Sequence, residues 1–133
     1  MSTKTPAPWA DRLTDEFTAA DEWATRLVQP LNTVQLNWRP RWGAWSIGQC
    51  LEHLAVSSEV YLPPIVASLA GRPRLAREVV WLAQHLDVNR IRFVNPFVWV
   101  IRFTVGTGLE ILSQHERRHL QQAERVRGAM GFP

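Results

Sequence analysis

The chain has 133 residues, of which 46% are hydrophobic and 20% charged, so it belongs to the ordinary globular class and is long enough for one core. Lys and Arg number 15 against 12 Asp and Glu, but the basic residues are dispersed and accompany no nucleic-acid-reading motif, so we expect no nucleic-acid partner. No apolar run reaches the roughly 20 residues that cross a bilayer, and the N-terminus lacks the features of a signal peptide. We therefore expect a cytoplasmic protein without a membrane partner.

Residues 1–8 show no periodicity and are predicted to form a loose tail on a single domain that comprises residues 1–133. From Trp9 onward, apolar residues recur every three or four positions, which predicts an amphipathic helix ending near Pro30. The stripe consists of Trp9, Leu13, Phe17, Ala20, Ala24, Leu27 and Leu31.

The segment 32–45 contains Trp38, Trp42 and Trp45 and is predicted to be an ordered connection whose rings cover one end of the core. Stacking of a ligand ring on these tryptophans is the alternative. Ser46 and Gln49 then have the spacing of a capping box, so a second helix is expected to begin there.

The second helix has an apolar stripe through Ile47, Cys50, Leu54, Ser57 and Tyr61, and His53 lies beside it. Cys50 is the only cysteine; it is predicted to be a buried apolar side chain in a reducing compartment. Pro63 and Pro64 predict an end or a kink near Leu62, because an interior proline clashes with the preceding turn. Continuation of the helix over Ile65 to Leu69 after a kink is the alternative to an end.

A third helix is predicted from Leu75, Val79, Leu82 and Leu86, with His85 as a partly exposed helix residue. Residues 91–106 have a strand-like composition, but two isolated short strands are rarely stable, so we predict an extended connection. A capping box at Thr107 to Glu110 is predicted to open the last helix, with Thr104 as an alternative start.

The last helix places His115 and His119 on its inward stripe with Gly108, Leu112, Gln122 and Val126. Four residues separate the two histidines, so their rings lie one turn apart on one face. Unpaired polar rings at such positions would be costly, and two imidazoles so placed can bind one metal ion. A third ligand must come from elsewhere, and His53 is the better placed of the two remaining histidines.

Residues 115–119 also match the HExxH pattern of zinc peptidases, in which the glutamate is the general base. We expect no peptidase, because no strand is predicted that could line a peptide-binding cleft. Glu116 lies about 100° around the helix from His115, so we expect it to face away and pair with an arginine; a role as general base is the alternative.

Two motifs, Trp45-Ser46-x-x-Gln49-x-x-x-His53-Leu54 and His115-Glu116-Arg117-Arg118-His119-Leu120-x-Gln122, together resemble the DinB-like (DinB/YfiT-like) superfamily. The resemblance implies an all-α fold: a four-helix bundle with a long connection between helices 3 and 4. It also implies a divalent metal held by His53, His115 and His119 with open positions. Three histidine ligands alone do not distinguish zinc from nickel, iron or manganese.

The first functional hypothesis is a metal-dependent hydrolase, or a transferase that uses a low-molecular-weight thiol as co-substrate, acting on a small molecule. A thiol bound to a divalent ion stays ionised at neutral pH, which favours its attack on an electrophile. The second hypothesis is a non-catalytic metal-binding or stress-response module in which the ion links the helices. A homodimer is compatible with either hypothesis.

Overall fold

The computed structural model describes residues 8–68, 77, 80, 92–94, 96 and 102–133. Within these residues the chain is mostly helical, with one pair of short strands. The elements in chain order are α1 (Pro8–Val28), α2 (Thr33–Asn37), α3 (Ile47–Ser68), β1 (Arg92–Val94), β2 (Arg102–Thr104) and α4 (Val105–Arg127).

The first helix agrees with its prediction to within two residues at its C-terminal end. It begins at Pro8, where a proline costs little because the first amides of a helix have no partner within it. The predicted tail otherwise lies outside the described residues. Leu13, Phe17 and Leu27 of the predicted stripe are buried.

The connection between the first two long helices contains α2, which the sequence analysis missed. Asn32 caps it: its side chain accepts a hydrogen bond from the amide of Gln35, whose side chain accepts one from the amide of Asn32. Trp38 covers the core as expected and packs edge-on against Phe132. Trp42 does not, because its side chain is 99% exposed.

The helix α3 begins with the predicted capping box. The amide of Ser46 donates to Oε1 of Gln49, and the amide of Gln49 donates to Oγ of Ser46. The helix does not end near Leu62; it continues through Pro63 and Pro64 to Ser68. Leu62 and Ile65, one on each side of the prolines, are buried in the same apolar cluster, and this packing offsets the lost backbone hydrogen bonds.

The prediction of an unpaired extended connection before the last helix was wrong at 92–94 and 102–104. There β1 and β2 form an antiparallel pair in which Phe93 faces Phe103. Packing against α3 and α4 supplies the support that an isolated pair would lack. Phe93 is buried against the backbone of Gly108, where an added Cβ atom would lie only 2.5 Å from the phenyl ring.

The helix α4 begins at Val105, earlier than the start predicted from the capping box at Thr107 to Glu110. Thr104, the alternative start, is the N-cap, and its hydroxyl accepts a hydrogen bond from the amide of Thr107. Gly128 ends the helix.

The core consists of two apolar clusters along α3 and α4. One lies towards the hairpin and joins residues of α1, α3 and α4 with Val80 and Phe93. The other, at the opposite end, joins Leu27, Ile47, Cys50, Ala123 and Val126. Cys50 is fully buried, as predicted.

The third predicted helix is described only at Arg77 and Val80, which are both helical. Val80 packs into the first cluster, and Arg77 lies 3.6 Å from the carboxylate of Asp21 on α1. His85 lies outside the described residues. The architecture is the expected four-helix bundle, and no helix in the described part of the chain is long and apolar enough to cross a membrane.

Candidate metal centre

The three histidines of the predicted site lie where the apolar core is interrupted. Along α4, His115 and His119 follow the residues of the first cluster and precede Ala123 of the second. Along α3, His53 lies between Cys50 of the second cluster and Leu62 of the first. All three imidazoles are half-buried. The packing of the two clusters therefore fixes how α3 and α4 present their histidines to each other.

The rings of the three histidines converge on one point. Nε2 of His53 lies 3.0 Å from Nε2 of His115. One nitrogen can be chosen from each ring so that all three atoms lie within 4.8 Å of one another. The ring centroids are 4.5 to 4.9 Å apart. The structure thus brings together every residue of the triad that the sequence predicted.

Gln122 contacts the site from the next turn of α4. Its Oε1 lies 2.9 Å from Nδ1 of His119. A carboxamide oxygen can only accept, so Nδ1 carries the proton and Nε2 keeps a free lone pair. A partner of this kind orients a ligating histidine and selects its tautomer.

Trp45, which directly precedes the capping residue Ser46 of α3, lies against the histidines on one side of the site. Its indole stacks on His119 with the ring planes 18° apart and the centroids 5.8 Å apart. The same indole meets His53 edge-on at 5.1 Å. Trp45 therefore contacts two of the three histidines, and its side chain is 37% exposed.

The charge state of the cluster follows from burial. Burial is the main cause that lowers the pKa of His115 to about 4, and the charges of the other two histidines and of Arg118 act in the same direction. Burial also lowers the pKa of His119, opposed in part by its hydrogen bond with Gln122. Burial therefore favours the neutral imidazole at His115 and His119.

The donor set fits a divalent metal ion. Neutral imidazole nitrogens are common ligands for zinc and for several other transition metals. Two nitrogens at about 2.0–2.1 Å from one tetrahedral ion are about 3.3 Å apart, close to the separation between His53 and His115. Within the described residues no carboxylate or thiol belongs to the cluster, so the ligand atoms that these residues offer are three imidazole nitrogens.

Glu116 does not belong to the histidine cluster. It lines a separate cavity of about 220 Å³ between α1 and α3, together with Asp21 and Leu54. Burial raises its pKa to about 7, and the charge of Asp21 adds to the effect. The predicted ion pair with an arginine is not seen among the described residues. Its placement argues against the HExxH peptidase chemistry, which needs the glutamate beside the metal.

Two residues of the site, Gln122 and Trp45, were not among the predicted metal ligands, although both belong to the motifs that carry the family resemblance. A usable signal existed for Gln122, because it follows His119 by three residues on the same helical stripe. The position of Trp45 depends on how the preceding connection turns into α3, which helical periodicity does not describe.

Comparisons with known proteins agree with this architecture. Residues 16–81 match the sequence model of the DinB superfamily. No curated protein matches the chain significantly. Among solved structures, the fold is similar to that of YfiT from Bacillus subtilis, which is described as a probable metal-dependent hydrolase with an unusual four-helix bundle topology. The TM-score is 0.70 and the identity 17%, over 100% of this chain and 94% of YfiT.

The family match begins within α1 and covers α2 and α3 with His53, while the structural match extends over α4 with the other two histidines. The sequence match to the DinB superfamily and the structural match to YfiT therefore agree.

Proposed function

We propose that this protein is a divalent-metal-dependent enzyme that acts on a small molecule, either as a hydrolase or as a transferase that uses a low-molecular-weight thiol. The observation that carries the proposal is the convergence of His53, His115 and His119, with nitrogens within 4.8 Å of one another and no fourth ligand from the described residues. Three protein ligands with free positions are typical of catalytic sites, whereas structural sites are usually closed by four.

A divalent ion held there would supply a Lewis acid that lowers the pKa of a bound water or thiol, so that the nucleophile is available at neutral pH. The chain's own residues have complementary tasks. The histidines donate nitrogen lone pairs from two different helices. Gln122 holds the proton of His119 on Nδ1, and Trp45 limits how the imidazole of His119 can turn.

A small substrate is part of this proposal. Trp45 and Gln122, which both contact His119, also line a cavity of about 630 Å³. That volume lies within the range typical of small-molecule sites, about 300–1,000 Å³.

The second candidate is a non-catalytic metal-binding or stress-response module. The feature that favours it is that the three ligands come from both α3 and α4, so that an ion would link two helices. In that case we expect a coordination sphere that exogenous ligands cannot enter.

Cobalt-loaded protein separates the two candidates, because cobalt reports changes in its ligands through visible absorption. We expect 2-mercaptoethanol to change the spectrum in a saturable way, and we expect the zinc-loaded protein to turn over small esters or alkyl halides. Turnover that requires added thiol identifies a transferase, and turnover in water alone a hydrolase. A spectrum that thiol and azide leave unchanged, with no turnover, would overturn the enzyme proposal in favour of the structural role.

A further inference from the structure

The cavity of about 630 Å³ beside His119 has a strongly one-sided charge. Three arginines, Arg41, Arg118 and Arg125, line it, and no aspartate or glutamate does. The first comes from the connection that precedes α3, and the other two from α4. The remaining lining is small or apolar apart from Trp45 and Gln122. The cavity is therefore a region of positive potential. It adjoins the histidine cluster through Trp45 and Gln122, which both contact His119.

The two arginines of α4 are placed for joint action. Seven residues, or about two helical turns, separate Arg118 from Arg125, so both lie on one face of the helix. Gln122 lies between them on the same face and bonds His119. A molecule that contacts Arg118 is thus within one helical turn of both histidines of α4.

These three arginines have no carboxylate partner among the described residues. Other arginines of the described chain do: Arg12 pairs with Glu16 and Glu110, Arg26 with Glu22, and Arg77 with Asp21. The side chains of all three arginines are exposed, so their guanidinium groups are available to a ligand from solvent. Guanidinium groups bind carboxylates and phosphates through paired hydrogen bonds.

We propose that Arg41, Arg118 and Arg125 form an anion-binding subsite that holds a carboxylate or phosphate group of the substrate or of the thiol co-substrate. The flat face of Trp45 offers a stacking surface beside this group. The proposal rests on the proposed function, since it assigns the reactive end of the same molecule to the histidine cluster. It narrows the substrate class to small molecules with an anionic group several ångströms from the reacting atom.

The test uses the full chain without metal, so that an anion cannot bind to an ion at the histidines. Succinate and inorganic phosphate are titrated separately while NMR follows the side-chain N–H signals of the arginines and the indole N–H of Trp45. We expect saturable shifts of Arg118, Arg125 and Trp45 with at least one probe. If succinate binds more tightly, the group is a carboxylate; if inorganic phosphate binds more tightly, it is a phosphate.

The double substitution Arg118→Gln with Arg125→Gln is expected to weaken anion binding at least tenfold, while the protein still binds one zinc ion per chain. The control, Arg117→Gln with Arg127→Gln, removes the same charge from other faces of α4 and should bind the anion like the unsubstituted chain. Circular dichroism checks that each variant is folded. If the double variant does not fold, the single Arg118→Gln variant takes its place in the titration.

Absence of saturable binding by either probe, or equal weakening in both double variants, would overturn the subsite. Failure of the proposed function gives a different pattern. The metal-loaded chain would then show no turnover and no response to thiol or azide, yet the anion would still shift Arg118 and Arg125, and the subsite would stand.

Discussion

Nε2 of His53 lies 3.0 Å from Nε2 of His115, although 62 residues separate the two histidines in the chain. The contact bridges α3 and α4 at a level where neither apolar cluster fills the space between the helices. Helix packing thus holds two ligand atoms near each other before any ion is added. Such preorganisation lowers the cost of binding, and it couples metal binding to the stability of the bundle.

The first prediction concerns that coupling. Zinc that binds the folded chain alone stabilises it by about 2.7 kcal/mol at one hundred times its Kd. We expect zinc to raise the unfolding temperature by several degrees and EDTA to reverse the rise. The variant with His115→Ala and His119→Ala is the control, in which zinc should have no effect. An equal rise in the variant would mean that zinc binds elsewhere.

The second prediction concerns the hydrogen bond between Gln122 and His119. Gln122→Ala removes the acceptor that fixes the tautomer of His119, so zinc affinity should fall about 10- to 100-fold. Competition against a chromophoric chelator measures the affinity. Gln121→Ala, an exposed position on the same helix, is the matched control and should leave the affinity unchanged. Equal affinities in the two variants would show that Gln122 does not orient the ligand.

The third prediction concerns the packing of the hairpin on α4. In Gly108→Ala the new methyl group would lie 2.5 Å from the ring of Phe93, which is buried and has little room to move. Such overpacking costs about 1–3 kcal/mol, more than the gain in helix propensity of up to about 1 kcal/mol. We expect a lower free energy of unfolding in urea. In Gly128→Ala the nearest atom is at 3.6 Å, so this control should change stability much less.

The fourth prediction concerns acid stability. The carboxylate of Glu16 accepts a hydrogen bond from the hydroxyl of Ser113 and another from the guanidinium of Arg12. Both hydrogen bonds lower the pKa of Glu16, and the one from Ser113 has the larger effect. A lowered pKa stabilises the fold above the ordinary glutamate pKa of about 4.3, and the contribution is lost as the pH falls through the lowered value. Glu16→Gln should therefore destabilise at pH 7, and this loss should shrink as the pH falls.

The expected loss at pH 7 is no more than about 1 kcal/mol, because the Glu16 side chain is 41% exposed and solvent screens it. Unfolding temperatures between pH 7 and pH 3 measure it. Glu22→Gln, which disrupts an exposed contact of 3.8 Å with Arg26, controls for the change in charge. A constant difference between Glu16→Gln and the unsubstituted chain across this range would contradict the account.

The histidine triad could be predicted from sequence because a helical repeat turns a spacing of four residues into a shared face. The start of α3 could also be predicted, because the capping box of Ser46 and Gln49 is an interaction between residues close in sequence. Family resemblance supplied the link between His53 and the pair on α4, which no local pattern contains.

Other features depend on contacts between distant parts of the chain. The helix α2 has five residues, too few for an apolar period to show. The strands have three residues each, and their pairing is stabilised where Phe93 packs on Gly108. Both Thr104 and Thr107 are residue types that can cap a helix. Thr104 is the N-cap because β2 ends there and α4 follows directly. The arginine-lined cavity likewise arises only when Arg41 is folded beside α4.

The central claim is that His53, His115 and His119 together hold one divalent ion. Elemental analysis of tag-free protein after reconstitution tests it most directly, beside His53→Gln, the double variant His115→Ala with His119→Ala, and His85→Ala as a histidine control. We expect about one ion per chain in the unsubstituted protein and in His85→Ala, and loss of the ion in the double variant. An equal metal content in all variants, or none in any of them, would contradict it.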